Sequence, residues 1–165
     1  MAESAEEVIY VVDASSWISI DGNPDANRIL SHLDKLIERG RIKCPPQALN
    51  EVRNAYMAGW IKARRKQISH SLRSKVEFLA LLGQVTFQFA GMSGARGKRN
   101  RADPYLVAYS AYRNKTENPT KCVVVCAESA AKRPNRKLPT ACKAFSVEPI
   151  DLAEMLRREF PEESW

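Results

Sequence analysis

Four acidic side chains stand where a folded chain can put them to chemical use. The run Val8-Ile9-Tyr10-Val11-Val12 stops at Asp13, and Cys122-Val123-Val124-Val125-Cys126-Ala127 stops at Glu128. A buried strand needs the apolar run but not the acid, and open α/β sheets place their ligand crevice at the carboxyl ends of such strands. Asp103 precedes Pro104 at the head of an apolar helical pattern, and Glu51 lies early in a helix that Pro45-Pro46 opens. Each has a plainer reading. Asp13 suits a helix cap or a turn, Asp103 an N-cap before a first-turn proline, and Glu51 a solvent-facing position. If the four converge, two unit charges about 4 Å apart repel by roughly 4 kcal/mol at an effective dielectric near 20, so a positive group must sit among them. An oxygen-only set suits a hard cation such as Mg²⁺ or Mn²⁺. Cations at a phosphate are what phosphodiester hydrolysis requires.

The charge distribution points to the same class of substrate. Net charge is +7, and between Val52 and Ala102 eleven Lys/Arg residues face the single acid Glu77. Ala90 to Ala102 reads as a long basic loop carrying Arg96, Lys98, Arg99 and Arg101, and Lys132 to Lys137 is a second one, with Lys132 and Arg133 directly after the last acid. Such cations attract the phosphate backbone of nucleic acid, although a solvated helix face has the same composition. The glycines of the first loop match neither the dinucleotide nor the P-loop spacing.

The elements that must position these groups alternate between strand and helix. After the first strand, Asn23-Pro24 predicts a helix with Asn23 as N-cap, running through Ile29, Leu30, Leu33, Leu36 and Ile37 to Gly40. Arg41 to Cys44 suits a brief connecting strand. Pro45-Pro46 restarts a helix to about Ala63 with the stripe Leu49, Val52, Tyr56, Trp60, Ala63, and its phase turns Glu51 roughly 140° away from the apolar face. A further helix is predicted over Lys66 to Leu82, stopping at Gly83, and alternation of Val85, Phe87 and Phe89 predicts a strand. Asp103-Pro104 opens a helix, Asn114 to Thr120 a turn, and Leu138-Pro139 a short helix through Cys142. Phe145-Ser146-Val147 reads as a last strand, Asp151 to Glu154 has capping-box spacing, Met155 and Leu156 anchor the final helix, and Pro161 to Trp165 reads as a loose end.

At 165 residues and 44% hydrophobic content, one α/β domain around a mainly parallel sheet is expected. Cys44, Cys122, Cys126 and Cys142 form no C-x-x-C pair and read as buried free thiols, and His32 and His70 lack the companions of a metal site. No apolar run is long enough for a membrane span, and the acidic start Glu3 to Glu7 is unlike a secretory signal, so a cytoplasmic protein is expected.

Taken in order, Tyr10-Val11-Val12-Asp13-Ala14-Ser15, the Pro46-to-Glu51 helix start, Ala102-Asp103-Pro104-Tyr105-Leu106-Val107-Ala108, Val124-Val125-Cys126-Ala127-Glu128 and Leu138-Pro139-Thr140-Ala141-Cys142 make a set. That set resembles the PIN-domain nucleases, and within them a subgroup related to VapC-type toxins of toxin–antitoxin pairs. The resemblance implies one PIN-like domain over 1–165, a three-layer α/β/α sandwich with a basic helical segment and loop at about 53–101. It implies Asp13, Glu51 and Asp103 as the metal-binding core, Glu128 as the fourth acid and Ser15 as a hydroxyl beside the first. It further implies one or two Mg²⁺ or Mn²⁺ ions, and hydrolysis of RNA by an activated water to leave a 5′-phosphate and a 3′-hydroxyl. Many relatives of that kind are homodimers neutralised by a small antitoxin protein. Two departures stand out: Cys126 and Glu128 stand where the family usually has Thr or Ser and often Asp, and the segment from about Arg53 to Arg101 is longer and more basic than in minimal toxins. A non-catalytic RNA-binding module and a DNA-cleaving nuclease of the same fold are the competing readings.

Overall fold

Val8 to Val12 do form the strand that their apolar run predicts, as part of β1 (Glu7–Val12). The computed structural model describes residues 6–90, 102–117, 120–127 and 138–165. β1 pairs in parallel with β2 (Thr120–Val125), from Glu7 opposite Thr120 to Val12 opposite Val125, and β2 pairs in parallel with β3 (Glu148–Ile150). The order is β1-β2-β3.

Alternate residues of these strands feed separate cores, which is why the strands are apolar throughout. Ile9, Val11, Cys122 and Val124 pack on one face with α5 (Val76–Gln88), α6 (Asp103–Thr116) and α7 (Leu138–Ala144). Tyr10, Val12, Val123 and Val125 pack on the other with α1 (Ala14–Ile20), α2 (Ala26–Glu38), α4 (Ala55–Ile68) and α8 (Leu152–Glu159). The short α3 (Pro46–Asn50) sends Ala48 to the first core and Leu49 to the second. The result is an α/β/α sandwich around a parallel sheet. No helix among the described residues is long and apolar enough to cross a membrane.

Several predicted boundaries move, each for a local reason. The helix read from Pro46 to Ala63 is broken: α3 ends at Asn50, and α4 begins after Asn54, whose Oδ1 accepts from the Met57 N–H at 3.2 Å. That capping bond competes with a continuous helix. The helix read from Lys66 to Leu82 is likewise two elements, because after α4 the Cys44 carbonyl accepts from the His70 N–H at 2.9 Å. Arg41 to Cys44 contributes only isolated parallel bridges, Ile42 with Tyr10 and Cys44 with Ser69. Val85 to Phe89 is the end of α5 and not a strand: Val85 is 0% exposed, Phe89 7% and Phe87 90%. Four residues on a helix return to one face and two cross it, so strand-like alternation and helical phase share Val85 and Phe89 and disagree at Phe87.

The remaining shifts are smaller. Asn23 makes a turn, its Oδ1 accepting from the Asp25 N–H at 2.8 Å, and α2 starts three residues later than Asn23 at Ala26. α6 continues through Asn114 to Thr116. Phe145 to Val147 is a turn with Ser146 at φ 58°, and the strand follows it. Asp151 caps α8, its carboxylate accepting from the Glu154 N–H at 2.7 Å, as its spacing predicts. The last residues are docked and not loose: Glu163 Oε1 lies 2.6 Å from His32 Nε2, and the Arg28 guanidinium stacks 4.2 Å from the Trp165 ring centre.

All four cysteines are buried free thiols. Burial pushes the Cys44 and Cys122 thiols up to about 12. At about pH 8 roughly one in ten thousand of either is thiolate, the reactive form. Iodoacetamide at that pH is expected to leave both unlabelled in the native protein and to label them once urea unfolds it, as read by peptide mass spectrometry.

Candidate functional site

Asp13 sits where β1 meets α1. Its N–H donates to the Val125 carbonyl at 2.8 Å, continuing the ladder one residue past the strand, while its extended backbone makes it the N-cap of α1. Capping and site roles therefore coincide in one residue. Asp13 Oδ2 accepts from the Ser15 N–H at 3.4 Å and from the Ser15 hydroxyl at 2.5 Å. The same Ser15 oxygen accepts from the Ala127 N–H at 3.1 Å. Ser15 thus rivets the ends of β1 and β2 together. This second bond leaves no signature in the sequence, because it spans 112 residues.

Glu51 arrives by a different route. It is the C-cap of α3, so its direction is set by the end of a short helix and not by the phase of a long one. Its Oε1 accepts from the Ala102 N–H at 2.9 Å. Ala102 is the N-cap residue of α6, which leaves Asp103 inside the first turn, so the predicted N-cap role of Asp103 does not hold. Glu51 and Asp103 therefore meet at the start of α6, beside the sheet's carboxyl end.

One carboxylate oxygen from each of Asp13, Glu51 and Asp103 lies within 4.8 Å of the others. Asp13 is 5% and Asp103 3% exposed, so solvent screens them little. The structure thus joins three of the four predicted acids. Glu128 lies outside the described residues, though Ala127, its neighbour, is held against Ser15. Arg96, Lys98, Arg99, Arg101, Lys132 and Arg133 also fall outside them.

The donor set fits a hard divalent cation: three carboxylate oxygens, like-charged and close, with neither imidazole nor thiol in the group. The nearby thiol is no competitor. Burial, then Cys126, Asp103 and Asp13, push the Cys142 thiol well above its usual range, so it stays protonated at neutral pH. The histidines are engaged elsewhere, His32 with Glu163 and His70 Nδ1 2.6 Å from the Tyr109 hydroxyl.

Ser15→Ala removes both the bond to the Asp13 carboxylate and the tie to Ala127. The expected loss is about 1.5–3 kcal/mol in urea unfolding, the usual worth of a hydrogen bond to a charged group. Ser15→Thr, which keeps the hydroxyl, is expected to lose less than half of that.

A family model described as a domain of unknown function (DUF4411) matches residues 10–161. No curated protein and no solved structure matches the chain.

Proposed function

The chain belongs to the DUF4411 family, a domain of unknown function, and we propose that it is a metal-dependent endoribonuclease. The observation that carries this reading is the convergence of Asp13, Glu51 and Asp103 carboxylate oxygens within 4.8 Å. Asp13, Glu51 and Asp103 would hold Mg²⁺ or Mn²⁺. When bound, such an ion supplies Lewis-acid stabilisation of the charge that builds on a phosphate during hydrolysis. Ser15 orients Asp13, and the Ala102 N–H orients Glu51, so both carboxylates are preset before substrate arrives. The resemblance to PIN-domain nucleases supports the choice of RNA, and its VapC-type branch extends the proposal to a cytoplasmic toxin held by a small antitoxin.

The test is cleavage of a labelled RNA with Mg²⁺ or Mn²⁺, against EDTA and against Asp13→Asn and Asp103→Asn. Cleavage that survives both substitutions removes the proposal. Single-stranded DNA alongside separates a ribonuclease from a DNA-cleaving enzyme of the same fold, and RNA binding without cleavage under either metal leaves a non-catalytic module.

A further inference from the structure

The chain between Glu51 and Glu77 contains no acid and seven cations, Arg53, Lys62, Arg64, Arg65, Lys66, Arg73 and Lys75. Among the described residues, ion pairing is sparser in this stretch than elsewhere. Outside it, six of the eleven described Lys and Arg residues pair with carboxylates: Arg28, Arg41, Arg113, Lys121, Arg157 and Arg158. Inside it, Arg64 alone does so, with Asp34. A folded protein places cations without counter-charges at a cost in self-repulsion, which an external polyanion relieves.

The sidedness of α4 says where that polyanion lies. Met57, Ile61 and Ile68 face the core. One flank, with Ala63, Arg64 and Gln67, faces Asp34 and Glu38 of α2 across a cleft of about 340 Å³. The other carries Arg65, whose Nη2 donates at 2.6 Å to Oδ1 of Asn50, the residue before Glu51. At about 100° per residue, Lys62, Arg65 and Lys66 share an arc of roughly 100°. This cationic arc spans about 6 Å of α4, and its Arg65 reaches the residue next to Glu51.

We infer that this arc of α4, entered past Arg53, is the docking surface for the phosphate backbone of an RNA leading to the acid site. The choice of RNA rests on the nuclease reading; the surface rests on the sparser ion pairing and the Arg65 contact. Cations spaced along one face of a helix hold a nucleic-acid strand by its phosphates.

The test is fluorescence anisotropy with a labelled single-stranded RNA in EDTA, where no cleavage intervenes, over a series of salt concentrations. Lys62→Gln/Lys66→Gln is expected to weaken binding about tenfold and to flatten the log–log salt slope by about 1.4, the value for two lost contacts on a single strand. Lys115→Gln/Lys143→Gln changes net charge equally and sits at the far end of α6 and on α7, so it is expected to leave binding unchanged. Equal losses from both pairs, or none from the first, overturn the inference. So does tighter binding of polyglutamate than of RNA, which would mark an acidic protein as the partner. Binding that depends on Lys62 and Lys66 in a protein that cleaves nothing supports the surface and removes only the nuclease reading.

Discussion

Asparagine in place of Asp103 is expected to lower metal-supported RNA cleavage on the order of a thousandfold and, without divalent ions, to raise the melting temperature. The two effects have one origin. Carboxylate oxygens within 4.8 Å repel at about 3 kcal/mol per pair at an effective dielectric near 20. Asparagine keeps the shape and removes one charge, so the metal-free fold gains. A cation held by the three acids offsets the same repulsion in the native protein, and at a hundred times its dissociation constant such a ligand stabilises by about 2.7 kcal/mol. Losing an anionic ligand removes both that stabilisation and several kcal/mol of transition-state charge compensation, each 1.36 kcal/mol being tenfold in rate. Differential scanning fluorimetry with and without Mn²⁺ separates this from a purely structural network. A structural role predicts a lower melting temperature for Asp103→Asn and no metal response in either protein.

The acids at the end of β1 and the start of α6 were legible in the sequence because the residues around them carry strong local signals. A five-residue apolar run leads to Asp13, and a proline follows Asp103. Glu51 was not legible from its periodicity. Its exposure followed from one continuous helix, and the capping bond from Asn54 to the Met57 N–H breaks that helix. With α3 ending at Asn50, Glu51 turns to the Ala102 N–H. A polar residue three before a buried one was the available sign, and an apolar stripe that appeared to run through it concealed it. The same cause displaced α5. Ile68 and Leu72 are both buried and four apart, yet a non-helical segment bridged to Cys44 at Ser69 separates them, and tertiary burial of a connecting segment mimics helical phase. What the pattern could not contain is the Ser15 link to Ala127, since pairing between distant strands is decided by register and not by neighbours.

Trp17→Ala is expected to cost about 3–5 kcal/mol, the range for deleting a fully buried aromatic side chain, and to weaken metal binding with it. Trp17 is 0% exposed, and its ring meets Trp60 of α4 at 5.8 Å between centres. α1 has seven residues, too few to persist unless its buried face holds it, because helix nucleation alone is unfavourable. Ala14, Ser16 and Ile20 share that buried face, but Trp17 supplies its largest side chain and the contact to α4. The start of α1 is also where Asp13 receives its two bonds from Ser15. A loosened α1 therefore frees the Asp13 carboxylate from its preset orientation, and a ligand group that must be ordered on binding lowers affinity. Urea unfolding reads the first effect, and the Mn²⁺-dependent rise in melting temperature reads the second. Trp17→Phe, which retains an aromatic ring in the same layer, is expected to cost less than half as much and to keep the metal response. An equal loss of stability with an unchanged Mn²⁺ response in Trp17→Ala would show that Asp13 is held by the strand end alone.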